Sequence, residues 1–366
     1  MMHDTYFRAM EVLRRNRTRY GYTKSSVSGQ IVARDGILAG LGALLTGDSL
    51  LIETFGDTLD TLAQFQGVHG EIPVYVDLDT GTPGYGELAG SVESLLWFCI
   101  GCARYSLVTR DRPWLQSKST SIQRALYLVG AWQYNDRGLI YVPLGGVHGQ
   151  AGYLLTEQVL FALAIHLLTA ALDSAQKGIP SPNSAEDDRS LLGLNYWPLA
   201  ANLGNPRIYH RAAFQACVEG GEIPFFLGNL TPAGYDRVAF DGIGNALALL
   251  AGLGDTDQVA KVVNTAQRYA NGDHLPPIYA PHDYGRWPLV GGLWAAAIAQ
   301  RLGPDAARPY IEAVHQLNMT EGVHFAESYG TVPGERDASI SAAASIFAEL
   351  ALERVSLFGT TIGSVG

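Results

Sequence analysis

Charge is scarce in this chain and leans acidic. Asp, Glu, Lys and Arg make up 16% of 366 residues, and 25 basic against 35 acidic side chains leave a formal net charge of −10. With a pI near 5.3, the balance argues against a nucleic-acid backbone or an anionic membrane as partner. An acidic protein can still bind a neutral, hydroxyl-rich molecule. Cysteine is rarer still: Cys99, Cys102 and Cys217 cannot all pair within the chain, which fits a reducing compartment and makes cytoplasmic residence the expectation. The opening Met-Met-His-Asp-Thr-Tyr-Phe-Arg lacks the short apolar core and small-residue cleavage site of a secretory signal. No run of about eighteen apolar residues offers a membrane span.

Cofactor and metal signatures are missing as well. Cys99-Ile-Gly-Cys102 has C-x-x-C spacing, but it sits within an apolar segment, 92–105, that reads as a buried helix with no strand before it. Asp77-Leu-Asp79-Thr-Gly81 begins like a calcium loop and lacks the remaining ligands, so a turn is the better reading. Asp273-His274 and His282-Asp283 have no metal-ligand spacing. Gly36, Gly40 and Gly42 follow no strand, and close helix packing explains them better than a phosphate loop. No cofactor is expected.

What the chain has in quantity is apolar sequence, 47% of residues, arranged at helical spacing. Helices are predicted over 4–19, 35–46, 49–66, 91–108, 114–133, 153–176, 207–218, 241–252, 256–271, 290–302, 305–317 and 339–355. Asp48, Asp255 and the Asp337-Ala-Ser339 step supply start signals, and Gly47, Gly254 and Gly303 supply stops. The segments 91–108, 153–170 and 241–252 are apolar nearly all round and must be covered on both sides, whereas 4–19 and 256–271 keep a polar face. A two-layer ring of six helical hairpins, an all-α (α/α)6 toroid formed as one domain by residues 1–366, accommodates both kinds. An open α-solenoid is the competing architecture, but no fixed-period repeat supports it. The segment 181–189 reads as a solvated excursion.

The connections 67–90, 134–152, 219–240 and 272–289 are rich in Gly, Pro, Tyr and His. Long aromatic loops between helices usually carry function, and in a toroid these would gather at one mouth. Near the C-terminus, Gly322-Val-His-Phe-Ala-Glu327-Ser-Tyr-Gly330 sets one carboxylate among aromatic and histidine neighbours, just before a small-residue apolar helix. This suits a catalytic base on a loop held by a rigid scaffold.

Several stretches, taken in order, resemble the six-hairpin glycosidases, in particular the amylo-α-1,6-glucosidase part of glycogen debranching enzymes and the alkaline/neutral invertases. They are Val32-Ala-Arg34-Asp35-Gly with the following apolar helix, Thr58-Leu-Asp-Thr-Leu-Ala-Gln-Phe-Gln66, Gly70-Glu-Ile-Pro73, Ser91-Val-Glu93-Ser-Leu-Leu-Trp97, Gly152-Tyr153-Leu-Leu-Thr-Glu157, Phe240-Asp241-Gly-Ile-Gly-Asn245 and the Glu327 region. Together they span about residues 25–355. The resemblance implies a toroid whose mouth holds a sugar, and hydrolysis by one carboxylic acid and one carboxylate base. Glu327 matches the base position. Arg34 and Asp35 match a sugar-binding pair, with a dipole-stabilised helix-start Asp as the structural alternative.

The acid is where the chain departs from that pattern. Relatives carry an Asp about a dozen residues before the Tyr153 position, but no carboxylate occurs between Asp136 and Glu157. Glu93, in an apolar helix where desolvation would favour its protonated form, could supply the acid from the opposite wall, or Glu157 from its own helix. Otherwise His148, set between glycine-rich turns, takes proton-transfer duty, and the reaction becomes an isomerisation, epimerisation or elimination. A binding protein without turnover is a third reading. Tyr75, Tyr153, Trp197, Tyr284, Trp287 and Tyr329 supply aromatic faces for a pyranose, and Glu157 and Asp241 supply acceptors for its hydroxyls. The expected function is an exo-acting, inverting glycoside hydrolase on an α-glucoside or similar small glycoside.

Overall fold

A computed structural model describes residues 2–86, 91–133, 138–145, 150–172, 185–231, 233–280, 285–320, 324–330, 333–353 and 355–359. Its helices run in chain order as α1 (Asp4–Arg15), α2 (Ala33–Thr46), α3 (Ser49–Gln64), α4 (Val92–Thr109), α5 (Arg112–Ser117), α6 (Ser119–Gly130), α7 (Leu155–Ala171), α8 (Ala185–Tyr196), α9 (Arg211–Glu219), α10 (Gly242–Leu250), α11 (Thr256–Tyr269), α12 (Pro288–Leu302), α13 (Pro304–Asn318) and α14 (Ser339–Ala351). Six of them close a ring: α2 packs on α4, α4 on α7, α7 on α10, α10 on α12, α12 on α14, and α14 back on α2. Closure between α14 and α2 is what an open solenoid would lack. The remaining helices lie outside, with α1 on α14, α3 on α2 and α4, α6 on α4, α8 on α7, α11 on α10, and α13 on α12 and α14.

Sequence decides which layer a helix joins. In α7, every residue from Leu155 to Leu168 except Thr156 is buried, because neighbours cover it on all sides. By contrast, α11 buries Val259, Val262, Val263 and Ala266, a stripe at three- and four-residue spacing, and turns most of the rest to solvent. Small residues let the helices approach closely. A Cβ at Gly40 would lie 1.9 Å from the Phe55 ring, and one at Gly292 would lie 2.5 Å from the Ala344 carbonyl oxygen. Each fully buried aliphatic side chain, such as Leu38, Leu96 or Leu160, contributes about 1.5–3 kcal/mol against the entropy of ordering the chain.

The helix boundaries follow local chemistry. Asp48 accepts from the Leu50 and Leu51 amides at the start of α3, and Asp255 forms a capping box with Gln258 at the start of α11. Gly47 closes α2 in the left-handed region at φ +71°. At α14 the expected cap is absent: Ala338 is the capping residue with no side-chain bond, and Asp337 instead meets Arg15 at 3.0 Å.

Three expectations need correction. The segment 114–133 is two helices, because Asp111 and Pro113 start a short α5 that ends before α6 begins. Of the expected excursion at 181–189, residues 181–184 lie outside the described residues, and 185–189 instead begin α8, where the helix dipole favours Asp187 and Asp188. The fold is also not purely helical, since the aromatic connections pair into short antiparallel strands. Gln30–Val32 joins Tyr75–Asp77 and Thr82–Gly84, while Val142–Gly145 and Gln150–Leu154 join Asn229–Thr231 and Gly234–Tyr235. Phe240–Asp241 pairs with Tyr279–Ala280. No described helix is long and apolar enough to cross a membrane.

Candidate active site

Backbone hydrogen bonds tie the start of one inner helix to the segment leading into the next. The Ala33 amide at the start of α2 donates to Val74 at 2.8 Å, Leu155 of α7 to Gly228 at 2.9 Å, and Gly242 of α10 to Ile278 at 2.9 Å. Arg286, just before α12, exchanges bonds with Tyr329, and Ser339 of α14 donates to Lys24 at 2.8 Å. These latches hold the helix starts together at one end of the ring. Most of the sequence-expected polar residues stand there: Arg34 and Asp35 in the first turn of α2, Glu93 in that of α4, Glu157 in that of α7, and Asp241 at the cap of α10. Helix N-termini favour carboxylates, so this end can concentrate them.

Glu157 is the most extreme of the group. It is 0% exposed, and neither carboxylate oxygen has a hydrogen-bond partner. Burial, reinforced by the charges of Glu93 and Asp241, pushes its pKa well above the usual carboxylate value and favours the protonated form. Asp241 is also buried, which pushes it up to about 6, although bonds from the Gly244 amide, the Thr156 hydroxyl and the Ile243 amide pull the other way. Thr156 Oγ1 donates to Asp241 Oδ2 at 3.0 Å and Gly244 N to Oδ1 at 2.8 Å, so both oxygens are engaged. Glu93 is only half-buried, and its Oε1 accepts from Trp97 Nε1 one helical turn on, at 3.2 Å. Glu93 is thus less buried than its apolar helix suggested, and Glu157 is the fully buried carboxyl of the group.

Glu327 lies across a set of cations. Lys24 Nζ is 3.0 Å from its Oε2, and Arg34 Nη2 is 3.8 Å from its Oε1. Arg34 also holds the buried Asp35 at 2.9 Å through Nε. Burial opposes the guanidinium charge, but Asp35, Glu93 and Glu327 together more than offset it and raise its pKa. The Glu327 segment is fixed on both sides: its amide donates to Glu335 O at 2.9 Å, the Ala326 amide donates to the Tyr329 hydroxyl at 3.0 Å, and Ser341 Oγ donates to Ala326 O at 2.7 Å.

The aromatic candidates divide. Tyr75 is 37% exposed beside the start of α2, pairs with Val32 and covers Gly84 with its ring. Trp287 is half-buried at the cap of α12, and Tyr329 is half-buried next to Glu327, with burial pushing its hydroxyl up to about 12. Tyr153 and Trp197 do not offer open faces. Tyr153 is 4% exposed with rings of Tyr141 and Tyr209 against it, and Trp197 is 5% exposed with Phe226 against it, so both are core residues. His148 and Tyr284 lie outside the described residues. Lys24 and Glu335, which no motif singled out, also stand beside Glu327, with Lys24 Nζ 3.4 Å from Glu335 Oε2. Cys99 and Cys102 are buried in α4, and burial pushes the Cys99 thiol up to about 12. Among the described residues, no group of three metal-ligating side chains comes together.

No family model matches the chain, and no curated protein matches its sequence. Solved structures do match. A wild-type glycosidase superposes with a TM-score of 0.68 at 15% identity, covering 96% of each chain. A GH63 mannosylglycerate hydrolase from Thermus thermophilus, in complex with glucose, gives 0.60 at 16% identity over 94% of this chain and 99% of its own. A bacterial glucoamylase complexed with acarbose gives 0.64 at 14% identity over 97% of this chain and 56% of its own. At these identities the likeness establishes one thing, that this chain shares its fold with solved glycosidases.

Proposed function

We propose that this protein is a glycoside hydrolase, exo-acting and inverting, on an α-glucoside or similar small glycoside. The observation that carries the reading is the placement of two accessible carboxylates, Glu327 and Glu93, each electrostatically coupled to the Arg34 guanidinium. Glu327 is the base. It takes a proton from water as that oxygen bonds to the anomeric carbon, while the bond to the leaving oxygen breaks on the opposite face. Glu93 gives its proton to that leaving oxygen. Accessibility favours Glu93 over its neighbours: Glu157 has no exposed surface, and both oxygens of Asp241 are already engaged. An inverting pair needs about 6.5–9.5 Å between its carboxyl groups to admit the water.

Arg34 and Asp35 hold the terminal sugar through its hydroxyls, and Tyr75, Trp287 and Tyr329 offer aromatic surface around it. Exo action needs a site closed at its inner end, and the buried apolar side chains of the inner helices beyond their first turns support such closure. The test is turnover of a panel of glucosides, fructosides and sucrose by wild type and Glu327→Gln. Cleavage by wild type and loss of cleavage with retained sugar binding in the variant support the reading. Equal behaviour of the two proteins removes Glu327 as base.

A further inference from the structure

The backbone of Glu327 is hydrogen-bonded to that of Glu335. The Glu327 amide donates to Glu335 O at 2.9 Å, and the Gly334 amide donates to Ser328 O at 2.9 Å. Two carboxylates that share one cation stand close enough to repel each other. Lys24 resolves the conflict, with Nζ 3.0 Å from Glu327 Oε2 and 3.4 Å from Glu335 Oε2. Its segment is itself anchored at four points. The Lys24 amide donates to Gln30 O at 2.8 Å, the Lys24 carbonyl accepts from the Ser339 amide at 2.8 Å, the Ser25 hydroxyl donates to Glu335, and the Ser339 hydroxyl donates to Thr23 O at 2.7 Å. The backbone that carries Lys24 is therefore fixed, and its ammonium group lies between the two carboxylates.

We propose that Lys24 is a positioning residue for the Glu327 base: it bridges Glu327 and Glu335, cancels their repulsion and fixes the Glu327 carboxylate toward the mouth. The proposal rests on the glycosidase reading for its catalytic consequence, but the clamp itself does not depend on that reading. Lys24 need not touch the sugar. With Lys24 replaced by Met, Arg34 still lies 3.8 Å from Glu327 Oε1 and the Ser25 hydroxyl still bonds Glu335, but no cation bridges the two carboxylates, and Glu327 either turns toward Arg34 or shares a proton with Glu335.

The test is a cycle of Lys24→Met, Lys24→Arg, Glu335→Gln and the double variant Lys24→Met/Glu335→Gln, assayed for kcat and KM across pH beside wild type and Glu327→Gln. Lys24→Met is expected to lower kcat about 10- to 100-fold with KM little changed, and to move the acidic limb of its pH profile up by about one unit. Lys24→Arg keeps most of the rate. The double variant recovers much of the lost kcat and returns the limb toward wild type, because the repelling charge is gone. A merely structural lysine predicts no such recovery, so a double variant as slow as Lys24→Met overturns the proposal, as does an unmoved limb. Carboxyl-carbon NMR titration of the same proteins reads the Glu327–Glu335 coupling without any substrate. If wild type cleaves no glycoside, the functional reading fails on its own, and the clamp is judged by whether the coupled titration emerges in Lys24→Met and disappears in the double variant.

Discussion

Arg34 Nη2 lies 3.8 Å from Glu327 Oε1, joining the first turn of the second helix to a loop near the other end of the chain. The same guanidinium is the hydrogen-bonding partner of Asp35, which is 1% exposed and whose second oxygen has none. Arg34→Met thus leaves a buried carboxylate unpaired and should destabilise the protein by about 3–5 kcal/mol. Adding Asp35→Leu should restore much of that stability without restoring activity. Denaturant unfolding and turnover, measured on both variants, separate the two roles. Equal unfolding midpoints for wild type and Arg34→Met would show that the pair does not matter to the fold.

Glu327→Gln keeps the size of the side chain and removes its ability to take a proton. The expected loss is about 10²–10⁴-fold in kcat, with sugar binding retained. Calorimetric titration with a product sugar, beside a rate assay, checks both halves. A binding-only protein would show no turnover in wild type from which to fall.

Glu157 predicts a stability effect with a definite sign. Its folded pKa is raised far above the ordinary 4.5, so the folded state keeps a proton that the unfolded chain releases. Stability is then lost progressively as pH rises above about 4.5, until the folded pKa is passed. Glu157→Gln carries no such penalty. It should match wild type near pH 4 and exceed it increasingly as pH rises above about 4.5 in thermal unfolding. A gap that stays constant with pH contradicts the protonated, buried carboxyl.

His315 works in the opposite direction. Burial, with help from the nearby His3, lowers its pKa from 6.5 to about 4, so it is neutral at pH 7 and its 3.7 Å contact with Glu349 is not a charge pair there. Its stabilising contribution is complete above pH 6.5 and is lost as pH falls toward 4, about 3 kcal/mol over the window. His315→Gln should flatten that part of the stability profile. An unchanged slope would place the acid sensitivity elsewhere.

Gly40→Ala tests the packing of the ring. The added methyl would lie 1.9 Å from the Phe55 ring, so the inner and outer helices must separate, at about 1–3 kcal/mol. Denaturant unfolding reads the cost. A stabilised variant would mean that the two helices have room to spare.

These cases also show what the sequence discloses. Gly40, in an apolar helix with no phosphate-loop context, is readable as close packing, because a helix face against a helix face uses a glycine that way. Glu327 stands out through its aromatic neighbours and the small-residue helix after it. Lys24 does not, because Thr-Lys-Ser-Ser is an ordinary polar stretch until ring closure brings it to Glu327. Tyr153 and Trp197 mislead in the other direction, since an aromatic in a loop reads the same whether its ring faces a ligand or other rings. The start of α8 is hidden because two aspartates suit a solvated loop and a helix N-terminus equally.

The central claim is hydrolysis with inversion, and proton NMR of the first turnovers on an α-glucoside tests it most directly. Signals of the β-anomer of the released sugar, appearing before mutarotation and absent with Glu327→Gln, are the predicted result. Initial release of the α-anomer would contradict the water-activating role of Glu327. A sugar that changes without any glycosidic bond being cleaved would contradict hydrolysis itself.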